Sequence, residues 1–115
     1  MYALKVSKDF SPMPYGRTYA QGTHSGEALR EKIESLLRTG ESVTVDFDGT
    51  YGVSPSFLEE VFGGLARSMR GIGLDRDMIR QRLKIESEEN PVIVEESWLF
   101  FHEAAERVEA ASKGL

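Results

Sequence analysis

Cysteine is absent from this chain, which excludes disulfides, thiol catalysis and thiolate metal sites. Only two histidines occur, His24 and His102, with no second ligand at metal-binding spacing, so no metal centre or cofactor is expected. No apolar run approaches the roughly 20 residues of a membrane helix. The start, MYALKVSKDF, has neither an unbroken apolar stretch nor a small-residue cleavage site, so a soluble, cytoplasmic protein is expected. Positive charge is also in deficit: 14 Lys and Arg against 19 Asp and Glu give a net charge of −5, which argues against gripping a nucleic-acid backbone. No Walker-type P-loop is present, and Gly71-Ile72-Gly73 lacks the third glycine of a dinucleotide fingerprint. Repeats, low-complexity tracts and interior linkers are missing too, so the 115 residues read as one domain, 1–115, with one modest core.

What is present alternates strands with helices. Tyr2, Leu4 and Val6 are spaced as one face of a strand; Pro12 to Gly16 has turn chemistry, and Arg17 to Ala20 reads as the return strand of a hairpin. Ser25 is an N-cap for a helix whose stripe is Ala28, Leu29, Ile33, Leu36 and Leu37, with Gly40 placed to end it. Val43, Val45 and Phe47 form one apolar strand face. Ser54 caps a second helix, because Pro55 at its first position gives up only an N–H that had no partner. Phe57, Leu58, Val61, Phe62, Leu65 and Met69 form its stripe. Gly63 and Gly64 inside it each cost about 1 kcal/mol relative to Ala, implying close backbone packing there or a break. Gly71 and Gly73 end that segment. A helical turn over Asp75 to Gln81 leads to a strand with Leu83 and Ile85, and Asn90-Pro91 opens a last helix with Val94, Trp98, Phe101, Ala105 and Val108 facing the core. The expected fold class is α/β, with a small mixed β-sheet of about four strands and three main helices.

The stretch Val45 to Leu65 carries the chemistry. Asp46-Phe47-Asp48-Gly49-Thr50 matches the nucleophile loop of haloacid-dehalogenase-type phosphatases, which sets a carboxylate nucleophile beside an acid and magnesium. Those enzymes place the motif after their first strand and then need a Rossmann-like core, a phosphate lysine and a further acidic pair. Only one clear strand follows Thr50, Lys84 stands in no site context, and Glu86, Glu88 and Glu89 read as a solvated strand end. Asp46 then belongs on a polar strand face, with Asp48, Gly49 and Thr50 in a turn. His24 lies in a loop feeding a helix start, where cap and turn is the favoured role. Trp98 and Phe101 fit a core stripe, whereas Phe100, if exposed, would join Tyr15 or Tyr51 as a contact for a protein partner.

Arg17, Ser25-Gly26-Glu27 with Arg30, Asp46, Asp48, Gly49, Gly52, Ser56-Phe57, Glu59, Glu60, Phe62, Gly63 and Leu65 together give a resemblance over most of the chain. On these residues the chain resembles the STAS-like domain family of unknown function found in prokaryotes, related to the STAS domains of anti-sigma-factor antagonists. The resemblance implies a non-enzymatic signalling domain that binds another protein, such as a histidine-kinase-like ATPase. It also implies phosphorylation at the helix start, at Ser56 or, as the weaker candidate, Ser54. A phosphate there meets free N–H groups and the positive end of the helix dipole. The implied partner surface is Tyr51, Gly52, Ser54, Ser56, Glu59 and Glu60. Two alternatives stay open: a small anion or nucleotide held without turnover, and the magnesium-dependent phosphatase.

Overall fold

A computed structural model describes residues 1–113. The chain runs β1 (Tyr2–Lys5), α1 (Val6–Asp9), α2 (Gly26–Arg38), β2 (Val43–Asp46), α3 (Pro55–Leu58), a π-helical turn (Glu59–Gly63), α4 (Gly64–Ser68), α5 (Arg76–Arg82), β3 (Leu83–Glu86) and α6 (Pro91–Lys113). α3, the π turn and α4 follow one another with right-handed helical backbone at every junction, so they form one helix with a widened middle.

Three strands, not about four, make the sheet, in the order β1-β2-β3, and both pairings are parallel rather than mixed. Parallel neighbours cannot be joined by a hairpin and need a crossover. The expected return strand at Arg17 to Ala20 is accordingly absent. Those residues turn instead: the Arg17 and Thr18 N–H groups both donate to the Gln21 side chain, at 2.6 and 3.3 Å, which spends the donors a ladder would use. Gly16, at φ +84°, supplies the bend.

Side-chain alternation gives the sheet two unlike faces. Leu4, Val43, Val45, Leu83 and Ile85 are buried under the helices. Ala3, Lys5, Thr44, Asp46, Lys84 and Glu86 point the other way, where Lys5 meets Asp46 at 3.3 Å and Lys84 meets Glu86 at 3.0 Å. Parallel sheets are normally covered on both faces, and this one keeps its open face wet with charge instead.

The core is centred on the helix after β2. Phe57, Leu58, Val61, Phe62 and Leu65 are buried, and Phe62 meets Phe47 edge-on at 6.2 Å. Burying each such ring stabilises the fold by about 2–3 kcal/mol. α2 offers Leu29, Ile33 and Leu37 from one side, after Ser25 caps it by accepting the Ala28 N–H. α6 covers the other side with Ile93, Ser97, Phe101, Ala104 and Ala105. The expected α6 stripe is thus shifted: Phe101 and Ala105 are core, while Val94, Trp98 and Val108 pack part-buried at its margin. A serine is tolerated in the buried stripe because its hydroxyl donates to the Ile93 carbonyl at 2.6 Å.

Gly63 and Gly64 resolve in favour of close packing, since the helix continues through them. The packing is at Gly64, where a β-carbon would stand 2.8 Å from Arg30 Cδ; on Gly63 it would meet only the carboxylate end of Glu59, from the same helix. Among the described residues, no helix is long and apolar enough to cross a membrane.

Candidate functional site

The loop leaving β2 is held by its own acids. Asp46 accepts the Asp48 N–H at 2.9 Å and faces Lys5. Asp48 reaches to the loop before α6, accepting the Glu89 N–H at 3.0 Å, the Glu88 N–H at 3.2 Å and the Ser87 hydroxyl at 3.3 Å. The bonds from the Glu89 backbone, then those from Glu88 and Ser87, with Lys5 adding attraction, hold its carboxyl below the usual range. Thr50 closes the turn through its hydroxyl to the Phe47 carbonyl at 2.6 Å. The Asp-x-Asp-Gly-Thr run is therefore a brace between two loops at the carboxyl ends of β2 and β3.

The helix start follows directly. Ser54 Oγ accepts the Phe57 N–H at 3.2 Å and lies 3.1 Å from Ser56 Oγ. Ser54 is thus committed as a cap and half-buried, whereas Ser56 is exposed.

Opposite this start lies the segment between α1 and α2. The Tyr51 N–H donates to the Pro12 carbonyl at 2.8 Å, joining the two loops. The Gly16 and Arg17 carbonyls accept the Gly26 and Glu27 N–H groups, both at 2.8 Å, so the same segment seals the start of α2. Tyr19 ties it further, donating its hydroxyl to Glu31. Between the two loops is a cleft of about 300 Å³ lined by Pro14, Tyr15, Gly16, Arg17, Gln21, Gly52, Ser54 and Ser56. A neighbouring hollow of about 290 Å³, which shares Gly52, is lined by Thr50, Ser87, Glu89 and Asn90 over Phe47 and Ile93. Both open near the carboxyl ends of the strands, where open α/β sheets bind their ligands.

From Arg17 in the cleft wall, three arginines and three glutamates form a chain of ion pairs. Arg17 lies 2.8 Å from Glu59 and 3.8 Å from Glu60. Glu59 is also held by Arg67 at 2.8 Å, and Glu60 by Arg30, whose Nε faces Glu34 at 3.5 Å. Arg82 stands apart from this chain as a cap, donating to the Leu37 carbonyl at the end of α2. The hydrogen bond from Arg67 and then that from Arg17 outweigh burial and lower the Glu59 carboxyl below its usual range.

The expected surface residues divide accordingly. Tyr51, Gly52 and Ser56 are exposed and Ser54 borders the cleft, but Glu59 and Glu60 are half-buried and engaged. Phe100 is part-buried against the core and leaves the surface to Tyr15 and Tyr51. His24 stacks edge-on to Phe10 at 5.2 Å, away from any acid cluster. His102 Nε2 accepts from the Arg80 guanidinium at 2.7 Å, and its ring stacks on Trp98. Gln21 and Pro14 were not singled out from sequence; only the turn chemistry of Pro12 to Gly16 hinted at their wall.

A family model described as a STAS-like domain of unknown function (DUF4325) matches residues 25–92, more than half of the chain. No curated protein and no solved structure matches it.

Proposed function

The chain belongs to the family of STAS-like domains of unknown function, and from that premise we propose that it is a non-enzymatic, cytoplasmic regulatory domain that binds another protein. The observation that carries this reading is a pair of tyrosines on neighbouring loops. Tyr15 and Tyr51 are 71% and 69% exposed, with Met13 at 68%, and the Tyr51–Pro12 hydrogen bond fixes the two loops together. Exposed aromatics on a rigid rim supply apolar contact area at little entropic cost, which is why interfaces favour them. Ser56 stands on the same cleft, so phosphorylation there would place charge inside the contact. The resemblance to anti-sigma-factor antagonists suggests a histidine-kinase-like ATPase as the partner.

One observation favours binding over turnover: Asp46 and Asp48 are occupied as loop braces. Magnesium-dependent phosphatase activity that vanished in Asp46→Asn would refute this reading. A small anion or nucleotide held in the cleft without turnover is the second reading, favoured by Arg17 in its wall.

Affinity capture tests the proposal by comparing wild type, Tyr51→Ala and Ser56→Asp, with bound proteins identified by mass spectrometry. An ATPase retained by wild type and lost by both variants supports it. Retention by all three would move the interface elsewhere. No specific capture, together with thermal stabilisation by a nucleotide, would replace it with the second reading.

A further inference from the structure

Arg17 serves two carboxylates, and each of them has a second arginine; Arg30 also serves two, but among these ion pairs its Glu34 has no other arginine. Glu59 keeps Arg67 at 2.8 Å, and Glu60 keeps Arg30, if Arg17 leaves. Its side chain is 44% exposed, against 17% for Arg30, so withdrawing it strands no buried charge. Arg17 also lines the cleft that Ser56 lines. Ser56 precedes Glu59 and Glu60 by three and four positions, one helical turn, the spacing at which like charges repel. A dianion on Ser56 therefore calls for a cation, and Arg17 is the lysine or arginine that lines the same cleft and leaves no acid without a partner.

We propose that Arg17 is the acceptor of a phosphate carried by Ser56, exchanging its bonds to Glu59 and Glu60 for the phosphate oxygens. This rests on the reading of Ser56 as the switch residue. Phosphorylation forms the Ser56 Oγ–P bond while a phosphoanhydride bond of a nucleoside triphosphate breaks; the diphosphate leaves and the hydroxyl proton passes to solvent. The consequence is conformational. Arg17 belongs to the segment that carries Tyr15 and whose carbonyls seal the start of α2, so its side chain links the charge on Ser56 to the aromatic rim.

The test uses the full chain with phosphoserine incorporated at position 56 and follows its second ionisation by 31P NMR. A free phosphoserine ionises near pH 6. Capture by Arg17 lowers this value in the wild-type background, and Arg17→Gln raises it again by about half a unit to one unit. A wild-type value above that of free phosphoserine, as Glu59 and Glu60 alone would produce, overturns the proposal. So does a lowered value that Arg17→Gln leaves unchanged, since the helix start would then account for it. Should Arg17→Gln disturb the fold, Arg17→Lys keeps the charge and must keep most of the lowering. The titration needs no partner. A lowered value with no captured protein removes the interaction reading and leaves the clamp standing, and a captured partner with an unlowered value removes the clamp alone.

Discussion

Arg30 crosses Gly64 so closely that a β-carbon there would lie 2.8 Å from both its Cδ and its Nη1. The absent side chain lets the guanidinium pass over the helix to Glu60, joining α2 to the π turn. A second glycine does the same in reverse: a β-carbon on Gly26 would meet Glu60 Cβ at 2.8 Å and the Phe57 carbonyl at 3.0 Å. The seam between the two helices is thus closed by two missing methyl groups.

Gly64→Ala gains about 1 kcal/mol of helix propensity but collides with a half-buried arginine, at a typical overpacking cost of about 1–3 kcal/mol. Net destabilisation of about 1 kcal/mol is expected. Gly26→Ala should cost more, because one obstacle is backbone that cannot rotate away. Urea unfolding of both variants checks the order.

Glu60→Ala leaves Arg30 facing the seam without its main partner. Both side chains are only 17% exposed, so a loss of about 2 kcal/mol is expected, below the 3–5 kcal/mol of a fully buried pair. Lys84→Ala removes a pair with 71% and 42% exposed side chains and should cost about 0.5 kcal/mol or less. Equal losses in thermal melts would show that the seam pair is no better shielded than the surface one.

Ser54→Ala removes the cap of the central helix, with an expected loss of about 1 kcal/mol. Ser56→Ala removes an exposed hydroxyl that caps no backbone N–H and should stay within about 0.5 kcal/mol of wild type. Chemical denaturation therefore separates the structural serine from the one available for modification.

Acidification should destabilise the fold in two stages. His102 is held below its ordinary 6.5, first by burial and then by the charges of Arg80 and Arg76. The unfolded chain takes up that proton first, so stability falls as pH drops below 6.5 through the lower folded value. Asp48 and Glu59 are also depressed, from 3.8 and 4.5; their contributions are full above those values and are lost as pH falls through the folded ones. Urea midpoints measured from about pH 7.5 to 3 should show both limbs, and His102→Gln should remove only the upper one.

Local chemistry made much of the chain legible. Ser25 and Gly40 bracket α2 as expected, Val43 and Val45 alternate inward on β2, and Ser54-Pro55 starts the central helix where a cap followed by proline should. Each of these signals acts over a few residues. Asp48 and Thr50 were legible as turn residues for the same reason, although the reach of Asp48 to the loop before α6 was not.

The helix α6 shows where periodicity stops deciding. Its sequence is apolar on more than one face, so Val94-Trp98-Phe101 and Ile93-Ser97-Phe101 are both helical stripes. Packing against the π turn selected the second, and the Ile93 carbonyl satisfied the serine it brought inside.

The sequence by itself determined the caps of α2 and of the central helix, the inward faces of β2 and β3 and the absence of thiol chemistry, because each follows from neighbouring residues or from composition; the first strand stops before Val6, which opens α1, and its Tyr2 stays exposed. Only the tertiary structure decided that the strands run parallel, that the segment before α2 turns instead of pairing, and that Ser56 shares a cleft with Arg17. Those outcomes depend on partners distant in sequence, such as Arg17 and Glu59, which lie 42 positions apart. No local pattern encodes such a meeting; it follows from burying the apolar faces of α2, the central helix and α6 together.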